Sequence, residues 1–325
     1  MNRLLVFATL ALSLNAVAAS EDSETVHDWL DRMAAAMDQV NYQGTFVYIQ
    51  DGNIDSMRIT HVHDSEGSSE RLYSITGPRR EILRRNGELK CVFTEDQSIV
   101  VDQQMTQQVF PAIPVALLTS PEARYTLQLG KQERVAGHMA QLVEIRPLDK
   151  FRYGYSLWLE VNNAVLLKSV LRDSERLALA KLMFTEIRFG DDVDLAELET
   201  EAPDDEFVNV TPSVPTGEPA SLDEQPRWQP TQLPPGFRLS SHNHENRENG
   251  QVFEHLVYSD GLASVSVYIE SLNGEERPMS GLSRIGALNA YARQRNDLQI
   301  TAIGEVPELT VKTIAETIEK AVPGD

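Results

Sequence analysis

The sequence predicts an α+β protein: a large curved antiparallel sheet, a partial barrel carrying helices, followed by a smaller α+β unit. Three observations lead there. Short alternating runs bounded by Gly, Asn, Asp or Pro recur as far as Phe189, an acidic and then proline-rich stretch interrupts them, and alternation resumes near Trp228. Helical periodicity marks the start of the first unit and parts of the second, including its end. A chain of 325 residues has ample length for two cores, and it needs them, because Cys91 is its one cysteine and an intrachain disulfide is impossible.

The opening "MNRLLVFATLALSLNAVAAS" sets Arg3 before an apolar run and ends it on Ala16, Ala18 and Ala19. That pattern is a secretory signal cut after Ala18 or Ala19, so residues 1–19 are expected to be a signal peptide. The competing reading, a membrane anchor, calls for about 20 apolar residues and firmer charged flanks. Cysteine-poor export suits a bacterial periplasm. Next, Val26, Leu30, Met33, Met37 and Val40 form one apolar stripe of a helix, with Ser23 as its expected N-cap. Thr45 to Ile49 and Met57 to His61 alternate around Asp51-Gly52, the signature of a β-hairpin. The same grammar repeats through "SERLYSITG", "REILRRNG", "LKCVFTED", "QSIVVDQQ", "YTLQLGKQERVAG", "HMAQLVEIRPL", "YSLWLEVNN", "AVLLKSVLRD" and "ALAKLMFTEIRFG". "FPAIPVALLTSPEARY" breaks it: prolines enclosing Val115 to Leu118 predict a loop with a short helix.

Asp191 to Glu206 contains no basic residue, and four prolines follow by Pro226, so residues 191–226 read as a linker between a domain at 20–190 and another at 227–325. In the second domain Phe253 to Tyr258 and Ser264 to Ile269 flank Asp260-Gly261 as a hairpin. "LSRIGALNAYARQR" reads as a short helix, "QITAIGEV" as a strand, and Leu309, Ile314, Ile318 and Val322 as the stripe of a final helix.

A net charge of -20 argues against nucleic acid as a partner. Nucleophile-elbow, zincin, P-loop and dinucleotide motifs are all missing, so neither catalysis nor a cofactor is expected. His61 and His63 share one strand face, but local spacing offers no third ligand and no metal is expected. His242 and His244 fall in a polar stretch read as a solvated hairpin loop, and Cys91 reads as a buried inert thiol.

Two groups invite a functional reading. Period two puts Phe151, Tyr153 and Tyr155 on one face of a strand and Trp158 on the other. Such residues fill a core in a closed barrel; in a half-open sheet, together with Leu117 and Leu118, they line a cavity for an acyl chain. "GPRREILRRNG" concentrates Arg79, Arg80, Arg84 and Arg85 in an otherwise acidic chain. They either guard a sheet edge or form an anion or partner patch.

Taken in order, "YQGTFVY", "GPRREILRRNG", "LPPGFRL", "YSDGLASVSVYIE" and "GEVP" resemble the RseB/MucB family of periplasmic sigma-E regulators over essentially the whole mature chain. The resemblance implies a non-catalytic periplasmic protein whose larger domain is LolA/LolB-like. It implies binding to the periplasmic part of a membrane anti-sigma factor of the RseA or MucA type, which shields that factor from regulated proteolysis. It further implies release by lipid, lipopolysaccharide or mislocalised lipoprotein, restraint of alginate production in a pseudomonad setting, and compatibility with a homo-oligomer. A lipid or lipoprotein carrier of the LolA/LolB type is the alternative.

Overall fold

The computed structural model describes residues 24–85, 88–93, 124–200, 208–209, 225–246, 252–272 and 279–321. The proposed signal segment, "QSIVVDQQ", the short helix expected at Val115 to Leu118, and the proline-rich part of the linker lie outside them.

Helix α1 (Val26–Gln39) buries Trp29, Leu30, Met33 and Ala36, as its apolar stripe requires. Its N-cap is Thr25, not Ser23. The Thr25 hydroxyl accepts the Asp28 N–H at 3.3 Å while the Asp28 carboxylate accepts the Thr25 N–H at 2.8 Å, so two orphan amides are satisfied reciprocally.

Eleven antiparallel strands follow in one sheet. They are β1 (Tyr42–Gln50), β2 (Asn53–Asp64), β3 (Gly67–Ser74), β4 (Arg80–Arg85), β5 (Glu88–Phe93), β6 (Tyr125–Val135), β7 (His138–Pro147), β8 (Gly154–Glu160), β9 (Leu166–Arg172), β10 (Ala178–Phe189) and β11 (Val208–Asn209). Their spatial order is β11-β5-β4-β3-β2-β1-β10-β9-β8-β7-β6, so β11 and β6 are the two edges. The β1–β2 hairpin turns at Asp51 (φ 50°) and Gly52 (φ 81°), both left-handed as a two-residue turn demands.

The sheet must curl. β2 and β6 stand six places apart, about 29 Å in a flat sheet, yet both touch α1, whose width is about 10–12 Å. Wrapping the sheet around the helix joins Leu30 and Met33 to Phe46, Ile59, Leu72, Val143, Leu157 and Phe184 in one core. At Gly44 in β1 a Cβ would clash with the Glu186 carbonyl oxygen and the Phe184 ring of β10, so only glycine fits there.

Asp191 to Thr200, expected to open a linker, instead form two 3-10 turns on the outer face of the sheet. Glu197 holds them there: its carboxylate accepts from Arg58 Nε at 3.4 Å and Tyr73 Oη at 3.2 Å, and its carbonyl from Arg71 Nη1 at 3.1 Å. An acidic run is sticky wherever basic strands lie beneath it, which composition alone does not reveal.

The second sheet runs β13-β14-β15-β18-β17-β16: β13 (Arg238–Asn246), β14 (Val252–Ser259), β15 (Ser264–Ser271), β16 (Gly281–Ile285), β17 (Leu288–Arg295) and β18 (Leu298–Gly304). Helix α2 (Glu308–Thr317) packs on it through Val311, Ile314 and Ala315, and a small ladder of β12 (Trp228–Pro230) with β19 (Ile318–Lys320) closes the end. Helix α2 therefore stops before Ile318, whose backbone pairs with Pro230. "LSRIGALNAYARQR" is a hairpin, β16 and β17, and not a helix. Leu282, Ile285, Leu288 and Ala292 mimic a helical stripe, but Gly286 at φ 63° makes the turn and β17 completes its ladder on β18.

Candidate functional site

The arginine segment comes first. β4 lies between β3 and β5, so it guards no edge, and its alternation divides the arginines between two faces. Arg79 reaches Glu81 at 3.4 Å, and Glu81, itself buried, is held more tightly by Arg71 at 2.7 Å. Arg85 meets Glu199 at 3.5 Å beneath the 3-10 turns. On the other face Arg80 bonds Asp55 at 2.9 Å, and Arg84 stands opposite Glu70 in the β3–β4 register. Much of the apparent charge excess is thus answered by carboxylates distant in sequence.

The aromatic run lies elsewhere than in a single strand face. β8 begins at Gly154, so Phe151 and Tyr153 sit in the bend that precedes it. All of this bend faces the second sheet. The Phe151 carbonyl accepts from Thr310 Oγ1 at 2.6 Å, Tyr153 Oη accepts from Asn289 Nδ2 at 3.0 Å, and Tyr155 Oη donates to Glu305 at 3.3 Å. Tyr153, Leu171 and Ala180 enclose Ala287 from the β16–β17 turn in a small apolar cluster. Trp158 projects to the opposite face from Leu157; its indole donates to Glu133 at 2.9 Å, and Lys168 Nζ lies 3.7 Å over its ring. Leu117 and Leu118 lie outside the described residues.

At the centre of this junction is a residue that the sequence reading passed over. Arg152 is fully buried, between Asp149 at 3.0 Å and Asp260, to which its Nη1 also donates; its Nη2 donates to the Pro235 carbonyl. Its guanidinium lies 5.6 Å from the ring of Tyr125 and 5.1 Å from that of Phe237. Asp260, read only as half of a turn, also accepts from Tyr125 Oη at 2.9 Å. Burial raises the Tyr125 and Tyr155 hydroxyls, so both stay donors. A charge buried at such cost holds the junction only because every donor finds an acceptor. The one available signal was an arginine set inside "FRYGY", where flanking aromatics leave it little access to water.

The histidines have structural partners. His61 stacks on Tyr42 with centroids 5.0 Å apart and its Nδ1 meets the Val40 carbonyl at 3.1 Å, while His63 Nδ1 meets Ser68 Oγ at 3.0 Å. His242 is not in a solvated loop: it is buried in β13, its Nε2 is 2.7 Å from Glu254 Oε1, and Glu254 also accepts the Arg227 N–H at 2.9 Å. The polar run looked like a loop because its buried acceptor lies on the next strand. Cys91 lies in β5, opposite Ile82. Among the described residues no group of three His, Cys, Asp or Glu has metal-binding geometry, and no helix is long and apolar enough to cross a membrane.

Burial pushes the His61 imidazole below its ordinary 6.5, against the pull of Glu70 and Asp38. Neutral His61 therefore stabilises the fold in full above 6.5, and that contribution is lost as pH falls through the lower folded-state value. Thermal midpoints measured downward from pH 7.5 are expected to fall more steeply for the wild type than for His61→Gln. Parallel curves would remove His61 from the acid response.

The described residues thus form two large sheets with buried polar contacts between the two units. Comparison with known proteins assigns them to a family. Residues 25–202 match the model of the MucB/RseB N-terminal domain, and residues 223–319 that of the MucB/RseB C-terminal domain. The sigma factor AlgU regulatory protein MucB of Pseudomonas aeruginosa is 30% identical, covering 94% of this chain and 94% of that protein. The sigma-E factor regulatory protein RseB of Haemophilus influenzae is 26% identical, covering 96% of each. Among solved structures, the Pseudomonas aeruginosa MucA/MucB complex aligns with a TM-score of 0.73 at 28% identity, over 91% of this chain and 99% of that one. A crystal structure of MucB in complex with MucA(peri) aligns at 0.70 and 28% identity, over 92% and 100%. With both family domains matched in order and along nearly its whole length, this chain belongs to the MucB/RseB family.

Proposed function

We propose that this protein is a non-catalytic periplasmic regulator that binds the periplasmic segment of a membrane anti-sigma factor of the MucA/RseA type. Bound, it shields that segment from proteolysis and keeps the envelope-stress sigma factor inactive; a lipid or lipopolysaccharide signal releases it. The observation that carries this reading is the full-length, two-unit match to MucB, whose solved complexes hold MucA. The signal-peptide pattern at residues 1–19 supports this reading, since export would bring the chain to the same side of the membrane as such a partner.

Within this reading residues 20–190 and 227–325 are the two domains. The packing of Asp191 to Thr200 on the first sheet supports drawing the first domain through Thr200. Arg79, Arg80, Arg84 and Arg85 are proposed as partner contacts on the two faces of the sheet around β4. Phe151, Tyr153 and Tyr155 are proposed to set the domain arrangement that the partner reads.

The experiment is protection. A purified anti-sigma periplasmic fragment is digested with a periplasmic protease in the presence of this protein, with and without lipopolysaccharide. Slowed cleavage that lipopolysaccharide restores is the expected result. Cleavage at the unprotected rate, with lipid binding intact, would transfer the chain to the carrier class.

A further inference from the structure

A second charged feature lies away from β4. The end of β7, the start of β8 and the β9–β10 turn enclose a cleft of about 330 Å³, at the lower end of the range for small-ligand pockets. Arg146, Arg172, Arg176 and Lys150 face it.

Their charges are incompletely answered. One carboxylate, Glu144, is shared between Arg146 and Arg176, the latter at 2.7 Å. Arg172 has only neutral partners: its Nε donates to Ser156 Oγ and its Nη1 to the Arg176 carbonyl, both at 2.9 Å. Arg146 Nε is buried and has no acceptor among the described residues. Of the other two carboxylates on the cleft, Asp149 pairs with the buried Arg152, whereas Asp173 keeps its charge there, leaving Arg146, Arg172, Arg176 and Lys150 against Glu144 and Asp173. Asp149 accepts from Arg152 Nε, and Asp173 Oδ1 accepts the N–H groups of Glu175 and Leu177 within its own turn. A positive concavity in a chain of net charge -20 calls for a ligand.

Arg176 sits at φ 68°, a left-handed conformation that glycine or asparagine adopts far more readily. Its N–H closes the turn onto the Asp173 carbonyl at 3.0 Å, and the turn fixes where the exposed guanidinium, 2.7 Å from Glu144, projects.

We propose that this cleft binds a phosphate-class oxyanion, with Arg146, Arg172 and Arg176 donating to its oxygens and displacing part of the Glu144 contact. Guanidinium forks match such an oxyanion through paired hydrogen bonds. Tyr155 lines both this cleft and the narrow crevice between the two sheets, so an occupant sits one side chain from the junction.

Arg176→Gly is the decisive variant, because it suits the turn's φ while removing the ligand group; Arg146→Gln is the second. Calorimetric titration at low salt with glycerol phosphate, and sedimentation with phosphatidylcholine vesicles containing phosphatidic acid, distinguish a free phosphate ester from a lipid headgroup. Saturable binding of either probe by the wild type, weakened about tenfold or more in both variants with thermal midpoints unchanged or raised, is the expected result. Absence of saturable binding to both probes, or equal binding by the wild type and Arg176→Gly, would overturn the site.

Discussion

Arg152→Ala is expected to destabilise the protein by about 3–5 kcal/mol, the cost of breaking a buried ion pair from one side. Asp260, 2% exposed, would keep its charge with no cation to answer it, held only by neutral donors, Tyr125 Oη and the Leu262 and Ala263 N–H groups, and the space between the Tyr125 and Phe237 rings would empty. The loss falls on the contact between the sheets and spares both cores, so urea unfolding is expected to separate into two transitions, with the second sheet released first. Asp260→Asn, which leaves Arg152 its bond to Asp149, should cost less. A single transition at the wild-type midpoint for Arg152→Ala would mean that the junction contributes nothing to stability.

Phe184→Ala should cost a comparable amount, about 3–5 kcal/mol, by a different route. Phe184 is 1% exposed, edge-on to Tyr42 at 6.5 Å and to Phe46 at 5.6 Å, and its ring fills the space beside Gly44. Nothing there can collapse into the vacated volume, because the neighbouring strands are fixed by their ladders. Here the urea transition of the large sheet should move as a whole. A loss below about 1 kcal/mol would show that the site refills, contrary to the packing described.

Local periodicity made much of the architecture legible. Leu30 and Met33 announced α1, and Asp51-Gly52 and Asp260-Gly261 announced their hairpins. The failures share one cause. Leu282, Ile285, Leu288 and Ala292 satisfy helical spacing, and only pairing with β18 decides for a hairpin. His242 looked solvated because Glu254 lies on the neighbouring strand. Arg80 and Arg85 looked like surplus charge because Asp55 and Glu199 are brought to them by the sheet and by the turns on its outer face. Arg152 was hidden for the same reason: its partner Asp260 belongs to the other unit. Patterns within one element are visible in the sequence, whereas contacts between elements distant in the chain are not.

The central claim is that this chain holds an anti-sigma periplasmic segment. It is tested most directly by fluorescence anisotropy of a labelled RseA/MucA-type periplasmic fragment titrated with the full mature protein. Saturable binding with Kd of about 1 μM or tighter, as expected of a specific interface, is the predicted outcome. No rise in anisotropy up to tens of micromolar protein, with both sheets folded by circular dichroism, would contradict it.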